Sequence, residues 1–111
     1  MKFEVIKLED VTILKPTKSL TIFNVDDLSN PIPEITIETK GVILDLSETT
    51  EIDSFGVGIV VRLMSIVKAK NGKFSVVTKD NKVSFILKID RLNTIIPLFN
   101  TIDEAINHLK D

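Results

Sequence analysis

The run "GVILDL", residues 41–46, constrains the fold more than any other stretch of the chain. Only Asp45 interrupts its apolar character. A short apolar segment without alternation is buried on both faces, as in the central strand of a parallel sheet. After it the hydrophobic period changes. Over residues 54–70 the apolar side chains recur at helical spacing, and Asn71-Gly72 supplies a helix stop. Residues 74–77, "FSVV", then read as another strand. Strand, helix and strand in this order call for a parallel pair joined by a right-handed crossover.

The rest of the chain extends that pattern. Phe3, Val5 and Leu8 alternate with Glu4 and Lys7, which predicts a half-buried strand. Glu9-Asp10 suits a tight turn and residues 11–14 a second strand, so the chain opens with a hairpin. Asn24 starts a short helical turn over residues 25–29. Asn30-Pro31-Ile32-Pro33 breaks it, because proline lacks an N–H and restricts the residue before it. Residues 81–89 read as a helix and 95–99 as a last short strand. Thr101 and Glu104 form a capping box, and the helix they start carries Ile102, Ala105, Ile106 and Leu109 on one face. The expected fold class is α/β: a mixed, mostly parallel sheet after an N-terminal hairpin, with helices packed mainly on one face. At 111 residues it is one domain, spanning residues 1–111 and large enough to bury a core without staples.

Composition removes several classes of function. There is no cysteine, hence no disulfide framework and no thiolate metal site. The 14 Lys and Arg are scattered among 16 Asp and Glu, giving a net charge of −2 and no footprint for nucleic acid. No apolar stretch is long enough to insert in a membrane, and the N-terminus does not read as a signal peptide, so a cytoplasmic location is expected. No nucleophile–base pair or phosphate-cradling loop is visible, and the single histidine, His108, falls on a polar face of the last helix. Asp45, Glu48, Glu51 and Asp53 lack calcium-loop spacing. Glu9-Asp10 and Asp53 mimic the acidic pocket of a phospho-aspartate receiver in chain position. That fold needs a helix where residues 11–14 read as a strand, and a lysine where Ile96 precedes Pro97. The residues by themselves display no catalytic constellation.

Function in open parallel sheets collects at the carboxyl ends of the strands. "EIDSFGVGIV", residues 51–60, lies there. Two glycines in a helix would each cost about 1 kcal/mol relative to alanine, so either the stretch is a loop or the helix start has a task that needs small residues. At 100° per residue, Val57, Val60, Val61, Met64 and Val67 cover one broad side. Phe55, Ile59, Leu63 and Ile66 form a second apolar stripe. Ser54, Gly58, Arg62, Ser65 and Ala69 occupy the narrow remainder. The plain reading is a core helix with a slim solvent strip. The sharper one is that Ser54 and Gly58 admit another backbone, flanked by Phe55 and Ile59. Either Ser54 or Asp53 can cap the helix.

The stretches "GVILDLSETTEIDSFGVGIVVRLMSIVKAKNGKFSVV" and "FILKIDRLNTIIPLFNTIDEAI" resemble the STAS domain of bacterial anti-sigma factor antagonists. The shared pattern is an apolar strand ending in Asp-Leu-Ser, a short loop, Asp-Ser-small-Gly at a helix start, then a turn and a strand. The resemblance implies phosphorylation at Ser54 and no catalysis by this chain. It implies that the unphosphorylated form binds an anti-sigma factor serine kinase and releases a sigma factor. The kinase would carry the ATP and magnesium, and a serine phosphatase would reset the switch. Residues implied at the partner surface are Ser19, Thr21, Asn24, Asp53, Ser54, Phe55, Gly58, Ile59 and Arg62. The chain departs from the family at Phe55, where a small residue is usual. It lacks the usual glycines in Asp90-Arg91-Leu92 and in the turn Thr17-Lys18-Ser19. An alternative keeps the fold without the switch, as a scaffold in a stress-signalling assembly or a subunit of a lipid-transport system, with Ser54 only a cap.

Overall fold

The computed structural model describes residues 3–29, 40–89 and 91–110. Strands β1 (Phe3–Lys7) and β2 (Val11–Pro16) form the expected antiparallel hairpin, with Phe3 opposite Pro16 and Lys7 opposite Thr12. β3 (Ser19–Leu20) and helix α1 (Val25–Ser29) follow. Then come β4 (Gly41–Asp45), β5 (Glu51–Ile52) and α2 (Ser54–Ala69). The last third contains β6 (Lys73–Val77), α3 (Lys82–Ile89), a 3-10 turn (Leu92–Thr94), β7 (Leu98–Phe99) and α4 (Ile102–Lys110). The main sheet has the order β1-β2-β4-β6-β7, parallel except for the opening hairpin. β3 and β5 pair in parallel as a separate two-stranded ribbon.

β4 lies at the centre and is buried along its whole length, as its unbroken apolar run requires. Alternate residues divide between two cores. Val42 and Leu44 of β4 and Phe74 and Val76 of β6 face α1, α2 and α3, through Val25, Ile59, Val60, Leu63, Val67, Val83 and Leu87. Ile43 and Val77 point the other way, with Ile13, onto Ala105, Ile102, Ile106 and Leu109 of α4. Three helices thus cover one face and the C-terminal helix covers part of the other. Half of the expected capping box forms: the Glu104 N–H donates to Thr101 Oγ1 (3.2 Å), but Glu104 Oε1 accepts from the Asn100 N–H (3.2 Å), one residue before the expected Thr101 N–H.

Several local readings are corrected. β1 is an edge strand, and Val5 and Leu8 are exposed, not half-buried. The last strand is only Leu98–Phe99, since residues 92–94 coil into the 3-10 turn and Pro97 has no N–H for a ladder. At the end of α2 the left-handed residue is Asn71 (φ 61°), not Gly72. Gly72 is small for another reason: a Cβ there would lie 2.9 Å from Val67 Cγ1 and 3.0 Å from the Lys40 carbonyl oxygen. Arg91, at the position where the family resemblance leads one to expect glycine, adopts a left-handed φ of 59°. The proline-rich break at residues 30–33 and the position of Asp90 lie outside the described residues.

Candidate partner-binding site

The site is built where β4 and the β3–β5 ribbon run out at their carboxyl ends. Asp45 closes β4 by accepting from the Ser47 N–H (2.9 Å), which turns the chain away from the sheet. The chain returns through β5, and Asp53 starts α2. Asp53 is the helix cap: its Oδ1 accepts from the Gly56 N–H at 3.0 Å. Its second oxygen, Oδ2, accepts from the Ile22 N–H, also at 3.0 Å and 31 positions away in sequence. One carboxylate therefore caps α2 and holds the loop after β3 against it. These N–H groups, Ile22 first, hold the Asp53 carboxyl below the usual aspartate range, and residual hydration loss only partly offsets them.

Ser54 is the first residue of α2 and is exposed. Of the two candidate caps, Asp53 does the capping, and the Ser54 hydroxyl makes no hydrogen bond among the described residues. It is free to react or to meet a partner.

The loop on the other side of this contact is organised by Asn24. Its Oδ1 accepts from the Thr21 N–H (2.8 Å), and its Nδ2 donates to the Ser19 carbonyl (2.9 Å) and the Ser19 hydroxyl (2.8 Å). The Phe23 N–H donates to Thr21 Oγ1 (3.3 Å). Ser19, Thr21, Asn24 and Asp53, chosen from sequence as four separate positions, thus belong to one hydrogen-bonded unit next to Ser54. Further along, the Thr50 N–H donates to the Lys18 carbonyl (2.8 Å) and the Thr49 hydroxyl to the Thr17 carbonyl (3.0 Å), which anchors the turn leading into β3.

The two glycines of α2 separate by role. Gly56 is buried, and a Cβ on it would lie 2.0 Å from the Leu20 carbonyl oxygen and 2.7 Å from Ile52 Cγ1. The backbone it admits is the protein's own. Gly58 faces open space: a Cβ added there would meet nothing within 4 Å. With exposed Ser54, Arg62, Ser65 and Ala69 it forms the solvent strip expected from the helical wheel. Ile59 does not join that strip. It is 7% exposed and packs in the core, because it lies beside Leu63 and Val60 on the inward side of α2. Phe55 is 53% exposed beside Ser54.

Two residues at this surface were missed in the sequence. Phe23 is 94% exposed, and Ile22, whose backbone is bonded to Asp53, is half exposed. A turn sequence with one aromatic residue carries no periodic signal of exposure. The Asp53–Ile22 bond holds the loop that carries them beside the helix start.

The receiver-like and metal-binding alternatives lose their geometry. Glu9 and Asp10 sit in the β1–β2 turn, at the amino end of the parallel strands, because Val11 pairs with Gly41 at the start of β4. Asp53 is beyond the carboxyl ends. Glu48 pairs with Lys15 (2.7 Å) and Glu51 with Lys82 (2.8 Å). Among the described residues no group of three or more potential metal ligands converges. His108 is exposed and its ring packs tilted on Phe99, centroids 5.2 Å apart.

The STAS domain model matches residues 2–105. The chain belongs to the STAS domain family. A candidate anti-sigma factor antagonist of Thermotoga neapolitana is 32% identical over 106 residues, which is 93% of each chain. The crystal structure of a candidate anti-sigma factor antagonist from Thermotoga maritima superposes with a TM-score of 0.91 at 28% identity, covering 98% of this chain and 95% of that one. The Bacillus cell fate determinant SpoIIAA in its phosphorylated form shares the fold, with a TM-score of 0.74 at 17% identity, 96% of this chain and 98% of that one. Among the described residues no helix is long and apolar enough to cross a membrane.

Proposed function

We propose that this STAS domain is an anti-sigma factor antagonist controlled by phosphorylation at Ser54. Unphosphorylated, it binds an anti-sigma factor that is a serine kinase, and so releases the sigma factor. The kinase, with its own ATP and magnesium, phosphorylates Ser54, and a serine phosphatase reverses the step. The observation that carries this reading is the division of labour at the helix start: Asp53 caps, leaving the Ser54 hydroxyl exposed and, among the described residues, unbonded. The identity of 32% with a candidate antagonist supports the same role.

The chemistry suits a switch. A phosphate on Ser54 adds about −1.5 to −2 charges. At the first residue of α2 it meets the positive end of the helix dipole, so the fold tolerates it. The cost falls on the complex. A partner fitted to a neutral hydroxyl beside Ile22, Phe23 and Phe55 would face a desolvated dianion next to the charge of Asp53. Each loss of about 1.4 kcal/mol weakens binding tenfold, so a few disrupted contacts suffice to separate the partners without refolding.

Capture of partners from the native cell with wild type, Ser54→Ala and Ser54→Asp as baits tests the reading. The first two should retain the same kinase-like protein and Ser54→Asp should lose it. Mass spectrometry should find phosphate on Ser54 in a fraction of the native protein. An unmodified Ser54 under all growth conditions, together with undiminished binding by Ser54→Asp, would overturn the switch.

A further inference from the structure

The neighbouring strands β6 and β7 send the chain to opposite faces of the sheet. β6 leads into α3, whose Val83 and Leu87 pack with Phe74 and Val76 on one face. β7 leads into α4, whose Ala105 packs with Val77 and Ile13 on the other. The two strands stay paired to their ends, with Val76 beside Leu98 and Val77 beside Phe99. Where parallel neighbours diverge in this way a crevice opens beyond their carboxyl ends, and open α/β sheets bind small molecules there. In this chain the crevice is a cavity of about 340 Å³. Its inner wall includes Thr78 and Ser84, both buried, and Leu98 and Phe99 line the β7 side.

The cavity brings together two lysines from different elements. Lys79 follows β6, and Lys88 stands one turn after Ser84 on the same side of α3. Lys15 and Lys82 are held by Glu48 and Glu51, whereas Lys79 and Lys88 make no ion pair among the described residues. Asp80 is the single carboxylate among the described residues of the lining. Glu48 also feels the charge of Lys79, but it is bonded to Lys15 at 2.7 Å, and Asp90 lies outside the described residues. We propose that this cavity binds a small phosphate monoester. Lys79 and Lys88 hold the phosphate, and Asp80 and Asn100 hydrogen-bond hydroxyl groups of its body. Ammonium groups act on a phosphate as point charges, while a planar carboxylate is met best by the paired N–H groups of arginine, and no arginine lines the cavity. Small-molecule pockets run from about 300 to about 1,000 Å³, so this volume suits a ligand of a few carbon atoms and not a dinucleotide. The site contains neither Ser54 nor Asp53 and does not rest on the phosphorylation switch.

Amide NMR titration of the isotope-labelled chain tests it, at constant ionic strength, with glycerol 3-phosphate, citrate and glycerol as probes. Glycerol 3-phosphate should shift the amides of residues 79–80, 84, 88 and 98–100 saturably, with a Kd below about 1 mM. Citrate should bind at least about tenfold more weakly, and glycerol should move none of these amides. Lys79→Ala and Lys88→Ala should each weaken glycerol 3-phosphate at least about tenfold. Lys110→Ala, beside Gly41 at the other end of the sheet, should leave binding unchanged. All three lysines are exposed, and the amides outside the cavity report that each variant keeps the fold. No saturable shift up to about 10 mM, citrate binding as tightly as glycerol 3-phosphate, or an equal loss in Lys110→Ala would each overturn the proposal. No partner protein, kinase or nucleotide is present, so failure here leaves the switch reading unaffected.

Discussion

Gly56 and Gly58 stand two residues apart on the same turn of α2, and the fold treats them oppositely. Gly56 exists because the chain's own strand β3 passes over it, with the Leu20 carbonyl where a Cβ would be. Gly58 meets nothing. Its absence of a side chain costs helix propensity with no return inside the molecule. The pair separates what this helix start does for stability from what it leaves open to another molecule, and substitutions can break or sharpen that division.

The largest effect is expected at Gly56→Ala. The clash is with backbone, which cannot swing aside, so the β3 loop or the helix must move. Overpacking of this sort costs about 3 kcal/mol, read as a lower midpoint in urea unfolding and lost protection of the Ile22 amide in hydrogen exchange. A variant as stable as wild type would show that the close approach is not needed. Asp53→Asn should come next, lowering the melting temperature by removing a charged acceptor from both Gly56 and Ile22.

Asp53 also gives a pH dependence with a defined sign. Its folded-state pKa is depressed below 3.8, chiefly by the Ile22 N–H and then by Gly56 and the neighbouring amides. The stabilisation is therefore fully present above the ordinary aspartate pKa and is lost as pH falls through the folded value. In amide NMR titrations, Ile22 and Gly56 should shift together below about pH 4, and in Asp53→Asn that common transition should vanish.

Gly58→Ala should act with the opposite sign to Gly56→Ala. The folded protein should gain about 0.5–1 kcal/mol, since alanine is the better helix former and has open space. Partner capture should weaken if the strip is an approach path for a partner, as proposed. The smallest effect on stability is expected for Ser54→Ala, within about 0.5 kcal/mol, because the hydroxyl caps nothing. A loss well beyond that would return Ser54 to the role of structural cap.

The larger architecture was legible in the sequence because each element advertises its own periodicity. The unbroken run at residues 41–46, the helical period after Ser54 and the Thr101–Glu104 box are local signals with local causes. The hairpin and the parallel order followed from them. Short-range detail was less legible. A two-residue strand such as Glu51–Ile52 has no period to read, and its pairing with Ser19–Leu20 is decided by the fold. Ile59 illustrates the same limit on the site: the wheel placed it in a stripe shared with Phe55, yet Phe55 is exposed and Ile59 is core. Two residues about 40° apart on the wheel are assigned by what packs there, not by their angle.

The sequence by itself determined an α/β domain whose Asp53-Ser54 pair opens a long helix at the mouth of a parallel sheet. Binary pattern and capping chemistry are properties of neighbours along the chain, so they can be read without coordinates. Only the tertiary structure decided which of the pair is the cap, which glycine is reserved for the protein itself, and that Phe23 stands exposed on the loop that Asp53 holds beside the helix start. Those outcomes depend on a carboxylate reaching an amide 31 positions away and on a strand crossing a helix. Contacts between segments so distant in the chain leave no pattern in either segment alone.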